Sequence, residues 1–178
     1  MEISENVVSS LVGLFGVVIG ALAAWWSGIY ASRWSRTLDM HREFNSERLS
    51  KARIDALKFL KEHGQLSFTE IADKPELNDE SVSLWEVMRF YQRLAVAVKH
   101  KQVIRRVVLD EFGEIFLWWY IVCFSKSLKG TNWVAEKDIE TMYCWMAKTV
   151  DKVTWQELVT RFEHESENLT QNLSRPIK

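Results

Sequence analysis

No charged side chain occurs between Asn6 and Ser32, near the start of this 178-residue chain. The core of this stretch, Val7 to Trp26, reads VVSSLVGLFGVVIGALAAWW. About 20 apolar residues at a rise of 1.5 Å per residue cover the ~30 Å hydrocarbon layer of a membrane. Because unpaired backbone groups are costly in lipid, a segment that crosses this layer forms a helix. The sequence therefore predicts a single transmembrane helix over residues 7–30, preceded by a tail of residues 1–6.

Aromatic and basic residues follow the apolar core. Tryptophan and tyrosine rings settle at headgroup depth, and cytoplasmic loops carry an excess of Lys and Arg. Two arginines follow the core, whereas Glu2 and Glu5 but no cation precede it. This asymmetry predicts a single-pass protein of the bacterial inner membrane, in contact with membrane lipid, with residues 1–6 outside and residues 31–178 forming a cytoplasmic domain. The predicted interface residues are Trp25, Trp26, Tyr30, Arg33, Trp34 and Arg36.

Two other interpretations of the apolar stretch remain open. Ala21-Leu22-Ala23 resembles the cleavage site of a secretory signal peptide, although such a signal carries its cations before the apolar core and not after it. The stretch is also apolar enough to be the buried core helix of a soluble protein.

Small residues recur at intervals of four within the predicted transmembrane helix. Gly16, Gly20 and Ala24 lie on one face, and this spacing allows two membrane helices to approach closely. The pattern predicts that the helix packs against a partner helix, for example in a homo-oligomer. Since glycine is common in membrane helices in any case, a monomer is the alternative.

The rest of the chain shows helical periodicity and no signal for a β-hairpin. The predicted class is all-α, with a small helical bundle of about 140 residues, which is long enough to bury a core without disulfides or metal. Cys123 and Cys144 are expected to be reduced core thiols. The formal net charge of −1 argues against a protein that binds nucleic acid.

Local signals predict several helix boundaries. The transmembrane helix is expected to continue, directly or after a short kink, to a C-terminal cap at Gly64. A short helical turn is expected around residues 69–73, and Asn78 or Asp79 is expected to cap the helix that follows.

The aromatic run Ile115–Phe124 is too short to span a membrane. It is interpreted as the central buried helix of the bundle, with a re-entrant or interface-lying segment as the alternative. Glu111 and Glu114 precede the run and are expected to lie at the positive end of that helix. Further along, Thr154-x-x-Glu157 matches a capping box for the last helix.

No catalytic or metal-binding motif occurs in the sequence. It contains no His-Glu-x-x-His pattern, no phosphate-binding glycine-rich loop and no Gly-x-Ser-x-Gly pattern. The four histidines are scattered among charged residues, which is typical of solvated side chains. We therefore predict that the protein is not an enzyme and uses no metal or cofactor.

A basic run lies near the middle of the chain. Against the anionic lipids of a membrane, each cation of such a run contributes about 1 kcal/mol. A nucleic-acid contact and an ordinary solvated loop are the alternatives. The candidate lipid-contact residues are Lys99, Lys101, Arg105 and Arg106.

Arg93 lies on a largely apolar helix, where a cation needs a partner. An ion pair that fixes this helix against another is expected, with an anion site as the alternative. The candidate partners are Glu86, Asp110 and Glu111.

The segment MRFYQRLAVAVKHKQVIRRVVLDEFGEIFLWWY carries a loose F-[FY]-x-R-L motif at Phe90-Tyr91-Gln92-Arg93-Leu94. A basic connector (99–106) follows, and then a tryptophan-rich helix with an acidic start (110–120). This order of parts, behind an N-terminal membrane helix, resembles a family of small membrane-anchored bacterial and phage proteins of unknown function. The resemblance covers residues 5–130, and Lys101 or Gln102 stands where the family has a glycine. It implies no activity and no catalytic residue.

We expect a membrane-anchored, non-enzymatic interaction module, and this layout suits phage superinfection exclusion or another phage–host conflict. An oligomeric regulatory or sensory subunit that signals through its transmembrane helix is the alternative, and a hydrolase with an unrecognised site is a third. A protein partner is expected, and exposed tryptophans are the side chains most suited to bind it. The candidates are Trp118, Trp119 and Trp133, with Trp145 and Trp155.

Overall fold

A computed structural model describes residues 5–63 and 66–173 of the chain. Within these ranges the protein is all-α without any strand, as predicted, and a long apolar N-terminal helix is followed by a helical bundle. The helices are α1 (Glu5–Phe44), α2 (Glu47–His63), α3 (Phe68–Ala72), α4 (Asn78–Lys99), α5 (Arg105–Trp119), α6 (Ser125–Ser127), α7 (Val134–Thr149) and α8 (Lys152–Leu173). A 3-10 turn (Pro75–Leu77) precedes α4, and a π-helical segment (Tyr120–Phe124) joins α5 to α6.

The helix that contains the apolar stretch ends at Phe44, and the chain turns at Asn45 and Ser46 before α2 begins. The Ser46 hydroxyl accepts a hydrogen bond from the N–H of Leu49 (3.3 Å), and so caps the start of α2. Asparagine and serine favour turns and caps over helix interiors, which explains why the helical pattern is interrupted at this point. The predicted cap at Gly64 lies outside the described residues.

Helix α4 holds the bundle together, because it packs against both α2 and α7. Three phenylalanine rings join three helices: Phe44 of α1, Phe90 of α4 and Phe112 of α5. The ring centroids of Phe44 and Phe112 are 5.1 Å apart, and each lies within 6.1 Å of the centroid of Phe90. Each of the three side chains is 5% exposed or less. This cluster fixes the end of α1 in the bundle core.

The aromatic run Ile115–Phe124 lies in the core for most of its length, as predicted. Ile115 is 39% exposed, and Trp118 and Tyr120 are half-buried. The run is not one regular α-helix, since its second half is π-helical. A π-helical turn is rare and inserts one extra residue into the helix, and such turns are frequent at functional sites.

Arg93 forms an ion pair with Glu43 of α1. An ion pair between helices was predicted and is confirmed, but each of the three expected partners is wrong. The turn at residues 45–46 brings the end of α1 beside α4, and Arg48 also approaches both Glu43 and Glu86. Because Arg93 is half exposed, this network adds at most about 1 kcal/mol to stability.

Glu111 and Glu114 lie inside α5 and not at its start, because this helix begins at Arg105. Glu111 pairs with His41 of α1 (3.3 Å), and Glu114 pairs with Arg161 of α8. The prediction that the two carboxylates stabilise a helix N-terminus is therefore wrong. Both connect α5 to a neighbouring helix.

Two predicted helix caps are also wrong. No side chain caps α4, which begins at Asn78 directly after the 3-10 turn. At the start of α8, the Asp151 carboxylate accepts a hydrogen bond from the N–H of Thr154 (2.9 Å) and takes the place of the predicted Thr154 cap. The hydrogen bonds from Thr154 lower the pKa of Asp151.

The two cysteines lie in different environments. Cys123 is fully buried, and burial raises the pKa of its thiol to about 12. Cys144 is exposed, so the prediction that both are core residues is wrong for this one. Its neighbours Met142 and Met146 face the core, and Cys144 lies between them on the outer side of α7.

Candidate functional site

Residues 13–32 of α1 form an apolar rod with almost no contact to the bundle. Only Ile29 among them is half-buried, whereas Val17 is 70% and Trp26 is 71% exposed. These residues extend about 30 Å at the α-helical rise. Helix α1 is long and apolar enough to cross a membrane, and its most apolar segment is not buried anywhere in the fold. The alternative that this stretch is a core helix of the bundle is therefore wrong.

Four aromatic side chains lie along one side of the helix where the apolar rod ends, and we call them the aromatic belt. Trp25, Trp26, Tyr30 and Trp34 are all exposed, between 44% and 71%. Immediately beyond them, Thr37, Met40 and Phe44 are buried against the bundle. The aromatic belt therefore separates the exposed part of α1 from the part that packs.

A groove of about 740 Å³ lies between α1 and the loop that joins α4 to α5. We call it the basic groove, because Arg33, Arg36 and Lys101 line it and no carboxylate does. Within the described ranges, none of these three cations forms an ion pair. The other lining residues are Ala24, Trp25, Gly28, Ile29, Ser32 and Gln102.

A hydrogen bond joins the loop to α1, and one side chain of the loop is buried in the bundle core. The backbone N–H of Ile104 donates to the Thr37 hydroxyl (2.9 Å), which in turn donates to the carbonyl of Arg33 (2.7 Å). Val103 is 3% exposed. These contacts place the tip of the loop beside the basic end of α1.

Lys101 occupies a backbone position that usually holds glycine. Its φ is +55°, in the left-handed region, where a side chain costs about 1–2 kcal/mol. The N–H groups of Lys101 and Gln102 donate to the carbonyls of Val98 (3.1 Å) and Ala97 (2.9 Å). These two bonds form a Schellman motif, which ends α4 and normally has glycine at this position.

The four candidate lipid-contact residues fall into two groups. Lys99 pairs with the buried carboxylate of Asp138 (3.2 Å), and Arg105 donates to the carbonyl of Val98 (3.1 Å). Lys101 and Arg106 are exposed, but only Lys101 reaches the basic groove. The structure thus brings Lys101 together with Arg33 and Arg36, which are predicted as membrane-interface residues and not as part of the basic run.

The candidate tryptophans are buried or half-buried, and none is fully exposed. Trp119 is 2% exposed, so its prediction as a partner surface is wrong. Trp118 and Trp133 are half-buried: the first donates to Glu165 (2.8 Å), and the second stacks on Trp85 (5.5 Å between centroids). Trp145 lies beneath the Arg105 guanidinium, and Trp155 contacts Tyr143.

The glycine face of α1 is open. A Cβ atom built on Gly16 or Gly20 meets no atom within 4 Å, so neither glycine is required by a contact within the chain. Ala24, the third member of the predicted packing face, lines the basic groove.

A second cleft of about 530 Å³ lies between the π-helical segment, α7 and α8. Tyr120 and Tyr143 stack within it, with 4.1 Å between their centroids. Burial, together with nearby Tyr143 and Glu140, raises the pKa of Tyr120 to about 12, so this phenol stays neutral and is a poor base at neutral pH. In the part of the chain that the structure describes, no group of three or more His, Cys, Asp or Glu side chains is arranged to hold a metal.

Comparison of the chain with protein-family models, with curated proteins and with solved structures found no match.

Proposed function

We propose that the protein is a single-pass membrane protein whose helical bundle lies on the cytoplasmic side and works as a non-enzymatic interaction module. The observation that supports the membrane placement most directly is the exposed apolar rod of residues 13–32. In water such a surface costs free energy in proportion to its area, and insertion into lipid removes that cost. The aromatic belt at its end suits the headgroup layer.

The proposed orientation rests on the cations beside the belt. Arg33 and Arg36 follow the apolar rod in sequence, and Lys101 lies beside them in space. A cluster of cations at one end of a transmembrane helix favours the cytoplasmic side. The resemblance to small bacterial and phage proteins favours a role in superinfection exclusion or another phage–host conflict.

Membrane fractionation and a topology reporter test the placement. We expect the full chain to stay in the membrane fraction after an alkaline carbonate wash. A reporter enzyme that folds only outside the cytoplasm is expected to be inactive at the C-terminus and active at the N-terminus. An active C-terminal reporter would reverse the orientation, and unprocessed protein in the aqueous fraction would contradict the anchor.

A phage challenge tests the biological role. Bacteria that express the full chain are expected to resist a subset of phages that kill the parent strain. The resistance should disappear when aspartate substitutions in the apolar rod prevent insertion of the chain into the membrane. Equal sensitivity to every phage tested would argue against this role and leave the anchored module intact.

The open glycine face favours a second candidate function, an oligomeric sensory or regulatory subunit. Gly16→Ile and Gly20→Ile place bulky side chains where close helix packing needs none, so we expect each to reduce crosslinked oligomers in membranes. Ala21→Ile, about 100° around the helix from Gly20, is the matched control. Unchanged crosslinking in both glycine variants would refute oligomerisation through this face.

A further inference from the structure

We propose that the basic groove binds one anionic phospholipid, with its phosphate between Arg33, Arg36 and Lys101 and its acyl chains along the apolar residues of α1. This inference deepens the proposed function and rests on the placement of α1 in a membrane.

The charge of the groove selects an anion. Arg33, Arg36 and Lys101 converge on it from α1 and from the α4–α5 loop, and no carboxylate lines it. Two other cations nearby have acidic partners: Lys99 pairs with Asp138, and Arg42 pairs with Asp39. Arginine presents its donors in a planar fork that matches phosphate oxygens, and lysine adds a mobile point charge. Ser32 also lines the groove.

The length of the groove selects a lipid over a soluble anion. Its lining runs along α1 from Ala24 to Arg36, a distance of about 18 Å at the α-helical rise. One end is apolar, with Ala24, Trp25, Gly28 and Ile29, and the other end carries the cations. A Cβ atom on Gly28 would meet nothing within 4 Å, so the apolar end is open. A phospholipid has an apolar part and an anionic part in this order, whereas a free phosphate would use only the basic end.

The strained backbone at Lys101 is independent support. Glycine would fit this φ of +55° without strain, yet the position carries a lysine that lines the groove. Backbone strain of this kind persists where a side chain is needed for a reason other than stability. The proposed phosphate contact supplies that reason.

Lipid titration of the purified full chain tests the proposal. The chain is held in detergent free of phospholipid and titrated with phosphatidylglycerol or phosphatidylcholine of the same acyl length, and bound lipid is counted by native mass spectrometry. We expect one phosphatidylglycerol to bind at least about tenfold more tightly than phosphatidylcholine, because three cations face its net negative charge. Inorganic phosphate at the concentration of the lipid should not displace it, because phosphate leaves the apolar end of the groove empty.

The substitution Lys101→Gly tests lipid binding independently of the stability of the fold. Removing one cation is expected to weaken phosphatidylglycerol binding by about fivefold, while the resistance of the protein to denaturation is maintained or increased. Arg36→Gln, at an exposed position, is expected to weaken binding by a similar factor. Lys148→Gln, an exposed cation on α7, is the matched control and should leave lipid affinity unchanged.

Three outcomes would overturn the proposal. Equal affinity for the two lipids would show that the groove does not select an anionic lipid. Displacement of the lipid by equimolar inorganic phosphate would show that the groove binds a soluble anion. If Lys101→Gly and Arg36→Gln bound lipid as well as Lys148→Gln does, the three cations would belong to an ordinary solvated surface. In each case, a chain that still sediments with membranes supports the proposed membrane anchor, so only the lipid site is contradicted. A chain found in the aqueous fraction contradicts the anchor itself.

Discussion

Replacing Val17 and Ile19 together with aspartate is expected to prevent membrane insertion of the chain. Both side chains are more than 60% exposed, and they lie near the middle of the predicted transmembrane helix of residues 7–30. Each acidic residue at the centre of a membrane helix costs about 2.5–3.5 kcal/mol, so the pair costs about 5–7 kcal/mol. We expect the fraction that resists a carbonate wash to fall by at least about tenfold, measured by immunoblot of membrane and soluble fractions.

A matched control uses two exposed apolar residues of the bundle. Ile54 is 57% and Val153 is 65% exposed, which is close to the exposure of Val17 and Ile19. The double substitution Ile54→Asp with Val153→Asp introduces the same charge outside the rod and should leave the membrane fraction unchanged. If the rod variant remained in carbonate-washed membranes like the control, α1 would not be the anchor.

Phe112→Ala is expected to lower the free energy of unfolding by about 3–5 kcal/mol. The Phe112 ring is fully buried between Phe44 of α1 and Phe90 of α4. Its removal leaves a cavity where three helices meet, and the surrounding backbone can only partly close it. Urea unfolding of the full chain in mild detergent, followed by far-UV circular dichroism, measures the loss.

Ile115→Ala is the matched control for this prediction. Ile115 lies one turn from Phe112 on the same helix, but it is 39% exposed. Its truncation removes less buried area than that of Phe112 and leaves no enclosed cavity, so we expect a loss at least about 2 kcal/mol smaller. Similar losses in the two variants would show that the three-ring cluster is not the centre of the core.

Features that depend on neighbouring residues could be predicted from the sequence. The apolar stretch and the short helix near residue 70 correspond to α1 and α3. Helical periodicity and turn-forming residues are properties of a few adjacent side chains, so a single sequence contains enough information to find them.

Helix caps were harder to predict from the sequence, because several residues near a helix end can accept the hydrogen bond from its first N–H groups. Thr154 fits a capping box, but Asp151 is an equally good cap three residues earlier, and the helix begins there. The capping box of α3, formed by Ser67 and Glu70, was present in the sequence and was missed. The capping signals of α3 and α8 were therefore both present in the sequence. For α8, only the choice between Asp151 and Thr154 required the structure.

Contacts between distant residues could not be predicted from local patterns. Glu43 meets Arg93 because the chain reverses at residues 45–46, and no property of Arg93 alone selects Glu43 over Glu86. Lys101 joins Arg33 in the basic groove for the same reason. The resemblance to phage and bacterial proteins, the partner and the biological role stay predictions.

The unbroken course of α1 from the apolar rod into the bundle has a mechanical consequence. Helix α1 continues to Phe44 without interruption, and the phenylalanine cluster packs its end into the bundle core. We therefore expect the rod and the bundle to move as one rigid body. Membrane helices tilt when their apolar length exceeds the thickness of the bilayer. For a chain anchored as we propose, a thinner bilayer would therefore tip the entire bundle, lowering one flank towards the lipid surface and lifting the opposite one.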